Sequence, residues 1–460
     1  MPRQLAAVLC ATFIVWLLVR DLKANPTVSR AVWLPWFWFG IKGSKSLTQW
    51  LYGFTVLESN PVTSIDRYLI FALAILGLLV LVRRSFSWSN FISKNWALSF
   101  YLTFTLVSMA WSEIPAKVFT QWNHMLLQFL MVLVIFTEQE PTKAFVAVFR
   151  RCAYVLIPMS VLYLKYFPEL GRMFDQYGLS LNVGVTADKN RLGATCWVLG
   201  VFFLSTLFAG PRGKRVVSGG DRYIALLFLG MSMWLIWRSE TSTAVVSFII
   251  SAGIILGMQF RVIWKRFTLV IVIGSIVAGM LLTFTDIKDR IILALGEDLT
   301  LTGRTELWAD LQSLVVNPVV GAGFESFWTG SRLQVLWAKY WWHPNQAHNG
   351  YFEMYLNLGI VGLLAMCAMV FSCYKKARRQ MLIGAPNGVR SSSLQDGITQ
   401  FRLSFLFGFL ASNWTDSPFR SVEFLFLVFV AVSLEYVSLP RKVFSEPSKA
   451  FVKSRRALRA

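Results

Sequence analysis

The chain has 460 residues, of which 55% are hydrophobic, and a mean hydropathy of +0.54. A composition this apolar excludes an ordinary soluble domain. The formal charge of +21 would suit a nucleic-acid binder. The basic residues are spread over many short loops, however, which argues against nucleic acid as a partner.

Apolar runs near membrane-spanning length fall at 5–19, 28–42, 67–83, 96–111, 118–137, 145–166, 190–209, 222–237, 241–259, 266–285, 350–374, 399–414 and 419–437. No pattern of short alternating strands accompanies them, so a barrel is excluded. The expected fold is an all-α polytopic membrane protein with about 12–13 spans and one large external loop. The doubtful run is AVWLPWFWFG, which is short, Trp-rich and broken by Pro35. If it only lies at the interface, twelve spans remain and the N-terminus changes sides. The run after Arg3 has no small-residue cleavage site behind it and reads as a retained helix.

The chain divides into N-terminal helices at 1–285, a loop at 286–349, C-terminal helices at 350–438 and a basic tail at 439–460. Taking that tail as cytoplasmic and alternating sides backwards places GPRGKRVVSGGDR, FRVIWKRF and KKARRQ on the cytoplasmic side. This is the positive-inside asymmetry. The same alternation puts the 286–349 loop outside.

Within that loop, Leu307, Leu311, Leu314 and Val315 recur at helical spacing, with Asp310 and Gln312 among the polar positions. They predict a short amphipathic helix that lies on the membrane or caps a cavity, ended near Pro318. GAGF predicts a tight turn at Gly321 and Gly323. The stretch at 382–397, rich in Gly, Ser and Asn, reads as a flexible linker. Cys10, Cys152, Cys196, Cys367 and Cys373 lie in or beside apolar helices without metal-ligand spacing and read as small buried thiols.

Polar residues gather at helix ends: Lys189, Asn190 and Arg191 in TADKNRLG; Arg238, Ser239, Glu240 and Ser242 in WRSETSTAVV; Arg304 in GRTELW; His348 and Asn349 in AHNGYFE; Asp416 in NWTDSPFR. The topology drawn from charge puts all five groups on the external side. Such groups are costly at membrane depth. Arginine grips phosphate oxygens through paired hydrogen bonds, and helix starts add free N–H groups. Histidine takes a proton near neutrality. The set points to substitution at a phosphate-activated carbon, with His348 as base and Arg304 on the departing pyrophosphate.

Each residue also has a plainer reading. His348 with Asn349 caps a helix, Arg238 snorkels from a helix end, and Asp416 shapes a turn. Gly359 and Gly362 allow close helix packing. The Trp-rich stretches form interfacial belts rather than sugar platforms.

GRTELW, NPVVGAGFESF and AHNGYFEMYLNLGIVGLL, in that order across 303–362, resemble the O-antigen ligase and polymerase superfamily. KNRLG at 189–193 is similar to a weaker element of it. The resemblance implies a glycosyltransferase of the inner membrane, working at the periplasmic face. Such enzymes take a glycan from undecaprenyl pyrophosphate and pass it to a lipid A-core or to another lipid-linked glycan. It further implies metal-independent, inverting transfer without cofactor, His348 as base, and Arg304 as a pyrophosphate contact. Membrane lipids and a polysaccharide assembly complex are the implied neighbours. Many relatives carry arginine in a Ser-x-Ser-Arg-Thr element where this chain has Ser242; Arg238 is the nearest replacement charge. That pattern leans toward the polymerase branch. A flippase of lipid-linked sugars and a non-catalytic export component are the rival readings.

Overall fold

The computed structural model describes residues 1–52, 64–84, 87–174, 178–209, 219–286, 290, 304–383, 393–420 and 423–435. The basic tail at 439–460, Gly303, the loop at 211–218 and most of the 382–397 stretch lie outside the described residues.

Each of the thirteen expected segments contains a helix. In chain order these are α1 (Arg3–Ala24), α2 (Trp33–Lys42), α3 (Ser64–Val82), α4 (Trp96–Val107), α5 (Pro115–Phe136) and α6 (Pro141–Tyr166). A small antiparallel hairpin follows, β1 (Arg172–Phe174) with β2 (Ser180–Asn182). Then come α7 (Lys189–Leu207), α8 (Gly219–Ser239), α9 (Ser242–Gly257) and α10 (Phe267–Phe284). Two loop helices, α11 (Arg304–Ser313) and α12 (Gly330–Lys339), precede α13 (Gly350–Ile383), α14 (Ser393–Ser412) and α15 (Phe424–Ser433). Among the described residues, seven helices are long and apolar enough to cross a bilayer, and three more are shorter apolar helices. The chain is an all-α, multi-pass membrane protein.

The residues flanking the doubtful α2 tie it into the bundle on both sides. At its start Ser29 Oγ donates to Glu138 beyond the end of α5; past its end Lys45 Nζ donates to Leu170 O beyond the end of α6. Those two partners lie at opposite ends of α6. Trp38 and Phe39 on α2 are buried in the core, so the aromatic run packs inside rather than forming an interfacial belt. Of the cysteines, Cys152, Cys196 and Cys373 are buried as expected, whereas Cys10 is half-buried and Cys367 is exposed.

The amphipathic helix is present as α11, with Leu307 and Leu311 fully buried. They pack with Phe327, Trp328, Leu336, Tyr340 and Leu356 into a core separate from that of the bundle. The loop is therefore a folded cap, and its second helix α12 went unread in the sequence. Several ties hold the cap to the α4–α5 turn, among them Phe324 N donating to Ser108 Oγ at 2.9 Å. Trp111 Nε1 donates to Val320 O at 3.2 Å, Ser112 and Ser326 hydroxyls meet at 2.9 Å, and Arg332 grips both oxygens of Glu113.

Gly321 and Gly323 do form the expected turn, with φ of +69° and +100°. Gly359 corrects the sequence reading. It does not sit in a helix–helix contact but breaks α13, with φ +62°. The cap backbone runs into the gap: Ala322 N and Gly323 N donate to Leu356 O and Asn357 O, while Ile360 N and Val361 N donate to Pro318 O and Val319 O, all at 2.9–3.1 Å. A Cβ on Gly359 would lie 2.3 Å from the Val319 backbone.

Candidate active site

A cavity of about 520 Å³ opens where the cap meets the helix ends. Seven residues singled out in the sequence line it: Lys189, Asn190, Glu240, Ser242, Arg304, His348 and Asp416. They come from five separate stretches of chain. The cap thus brings Arg304 and His348 to one hollow.

Local structure explains each placement. Lys189 and Asn190 open α7, whose Asp188 cap accepts from Arg191 N at 2.8 Å. Ser242 opens α9. Thr241 Oγ1 donates to Lys189 O at 3.2 Å, holding the two helix starts together. Arg304 opens α11 and donates from Nη1 to Thr415 O at 3.0 Å. Helix N-termini carry partial positive charge and unpaired N–H groups, so this convergence favours an anion.

His348 sits just before α13 with φ +50°, a conformation that costs a non-glycine residue of order 1–3 kcal/mol. Neighbouring bonds enforce it. Ala347 N donates to Glu353 Oε2 at 2.8 Å, and Ala347 O accepts from Trp308 Nε1 at 2.8 Å. Trp308 lies one helical turn after Arg304, so one short helix holds the arginine and steadies the histidine loop. Glu353 is buried and also accepts from Trp328 Nε1 and Asn357 Nδ2. Asn349 caps α13, its Oδ1 accepting from Tyr351 N and Phe352 N at 3.1 Å. The plainer reading of this position holds for Asn349, while the His348 ring faces the cavity beside Trp342, 6.4 Å away between centroids.

Burial lowers the His348 pKa to about 4, with Arg304 and then Arg420 adding repulsion. The imidazole is therefore neutral at pH 7 and free to accept a proton. Asp416 is pushed the other way, up to about 6, mainly by burial and then by Glu423. Its Oδ1 accepts from Ser417 N at 2.8 Å.

Arg191, Arg238, Ser239 and Asn349 do not line the cavity. Arg191 pairs with Asp188 and Glu423 at 3.3 and 3.4 Å. Ser239 is buried with its hydroxyl on Ile236 O. Arg238 lies over the Trp237 ring, 5.7 Å from its centroid, and faces a different hollow. It does not replace the family arginine missing at Ser242.

Thr241 of the same WRSETSTAVV stretch also lines it, as do Thr415, Trp341 and Trp342, which the sequence reading passed over. The WWHP stretch thus belongs to the cavity rather than to an interfacial belt. Cations, carboxylates and indoles together fit a ligand with an anionic part and a hydroxyl-rich part. Indole faces pack against apolar surfaces and attract electropositive groups, while carboxylates accept hydrogen bonds from hydroxyls.

The O-antigen ligase family profile matches residues 224–367, a span that holds both Arg304 and His348. The exopolysaccharide production protein ExoQ of Rhizobium meliloti (strain 1021) is 24% identical over 352 residues, covering 71% of this chain and 78% of that protein. Over these spans the chain is similar to the O-antigen ligase and polymerase superfamily. That similarity supports an O-antigen ligase or polymerase role and glycosyltransferase-type activity in the broad sense. The matched span leaves out Lys189, Asn190 and Asp416, which the fold brings to the same cavity.

Proposed function

We propose that this protein transfers a glycan from undecaprenyl pyrophosphate to a sugar hydroxyl at the periplasmic face of the inner membrane. The observation that carries the reading is that Arg304 and His348 line one cavity together with Lys189. The acceptor hydroxyl attacks the anomeric carbon and its proton passes to His348. The carbon–oxygen bond to the pyrophosphate breaks, and the leaving group departs with the electron pair. Arg304, Lys189 and the starts of α7 and α9 meet the charge that develops on it. Attack from the face opposite the leaving group inverts the anomeric centre. Trp341 and Trp342 flank the sugar, and Asp416 and Glu240 accept from its hydroxyls.

The low basicity of His348 in the empty site fits this cycle. A bound pyrophosphate offsets the Arg304 and Arg420 fields, so the imidazole becomes a stronger base when the donor is in place. Polymerisation is preferred to ligation because the relative named above is an exopolysaccharide production protein. The acceptor is then a second lipid-linked glycan rather than lipid A-core.

The test is transfer by purified protein supplied with a lipid-linked donor. His348→Ala should remain inserted and folded while turnover falls by roughly 10²–10⁴-fold, the usual worth of a general base. Full turnover in that variant would remove the base from the scheme. Movement of the donor across vesicles without any new glycosidic bond would favour a flippase instead.

A further inference from the structure

The Arg238 hollow is a second basic pocket, of about 360 Å³, lined by Leu164, Lys165, Arg172, Trp234, Trp237 and Arg238. Three of its six residues are cations and none is acidic. Among the described residues no carboxylate pairs with any of the three. The main cavity, by contrast, mixes Lys189 and Arg304 with Glu240 and Asp416.

The pocket is built rather than accidental. Arg172 begins β1 and is in register with Asn182 of β2. Asn182 Nδ2 donates to Arg238 O at 2.9 Å, which bolts the hairpin to the end of α8. That bond brings Arg172 and Arg238 together. Lys165 Nζ lies 5.3 Å from the Trp234 ring centroid, and Arg238 lies over Trp237. In its lining Trp237 is 68% exposed, and beside the pocket's Arg172 the hairpin carries the exposed Phe174 (72%) and Leu179 (63%). Cations under a rim of exposed aromatic and aliphatic side chains fit a phosphate head at the end of a hydrocarbon tail.

We propose that this pocket holds the diphosphate of the acceptor, a second polyprenyl-diphosphate glycan. The inference rests on the polymerase reading above. In the donor, the reacting carbon is bonded directly to its diphosphate, so that group must lie beside His348. In the acceptor, the reacting hydroxyl is at the far end of the saccharide. Its diphosphate must therefore sit apart from His348 but within reach of a short oligosaccharide. The Arg238 pocket is a hollow separate from the main cavity and next to it along the chain. It lies on the other side of the Ser239–Thr241 turn from the cavity, and three residues of chain span at most about 11 Å. The acceptor oxygen forms the new bond to the donor carbon, the donor diphosphate leaves, and the acceptor keeps its own diphosphate in the second pocket.

The experiment compares the parent protein with the Arg172→Gln, Arg238→Gln double variant in vesicles, using one lipid-linked donor and two acceptors. One acceptor is a polyprenyl-diphosphate oligosaccharide; the other is the same oligosaccharide without the lipid diphosphate. With the first, the variant should show an acceptor KM raised roughly tenfold or more, since charge-assisted bonds to phosphate are lost. Donor KM and kcat should stay put. With the second acceptor, parent and variant should behave alike. Equal KM values for both acceptors in the parent would overturn the assignment. So would a variant defect that disappears when anionic phospholipid is left out of the vesicles, because the pocket would then be reading bulk headgroups. A second readout does not need turnover. Purified His348→Ala should bind two polyprenyl diphosphates per chain, and the same protein with both arginines replaced should bind one. A single site in the parent would sink the proposal. Two bound diphosphates with no bond formation by the native chain would sink the polymerase reading and leave the pocket standing.

Discussion

Two regions of the molecule handle buried positive charge in opposite ways. Away from the cavity, Asp21 is almost wholly buried between Arg151, 2.6 Å from it, and Arg150. Arg84 pairs with Glu138, and Arg402 is spent on Val432 O, Leu434 O and Gln380. At the cap end, Lys189 and Arg304 face the cavity without a carboxylate partner among the described residues; Arg304 has Thr415 O. Other cations at that same end, Arg332 and Arg420, are paired with Glu113 and Glu325. Cations that hold the fold are matched within the chain. Those that face a hollow are left for a ligand to match.

Asp21→Ala tests the first half of the contrast and should have the largest effect. It leaves Arg150 and Arg151 buried without a counter-charge, which costs about 3–5 kcal/mol. Unfolding in detergent with a denaturant series should register it as a lower midpoint at unchanged slope. Arg304→Gln tests the other half. Removing one preorganised contact to a leaving group lowers turnover by roughly 10²–10³-fold. The same unfolding experiment should give the parental midpoint. Arg304→Lys should recover only part of the loss, since an ammonium lacks the guanidinium fork.

The smallest effect sharpens the contrast between the two acids of opposite fate. Asp416, unlike Asp21, faces the cavity and has a pKa near 6. If its ionised form receives a sugar hydroxyl, kcat/KM should fall as pH drops through about 6. Asp416→Asn should erase that limb and expose a second one near 4, where His348 becomes protonated. A pH profile of both proteins decides this. A parental limb unmoved by the substitution would assign it elsewhere.

Much of the architecture was legible because a membrane imposes a simple rule on sequence. A span needs a long apolar run, and those runs marked every helix of the path, even the Pro-broken α2. The meeting of Arg304 with His348 was legible only as a shared side of the membrane. Their sharing of one cavity depends on the cap fold, where Trp308 and Glu353 fasten Ala347 from both sides. Trp341 and Trp342 were misread because adjacent tryptophans near a membrane look the same in a belt and in a cavity. Arg238 was misplaced for a backbone reason. Glu240 adopts φ +50°, and that turn directs residues 240–244 into the cavity while Arg238 faces away. No periodicity in side chains announces such a reversal. Gly359 was read as a packing glycine when its role is to open α13 to another backbone.

That opening governs how material moves through the protein. Four hydrogen bonds from backbone N–H groups stitch the 318–323 segment across the gap at Gly359, and at about 1 kcal/mol each they resist separation. On the proposed function, a roof fastened in this way leaves the flanks of the bundle as the route for substrates and products, and shields the activated sugar from bulk water.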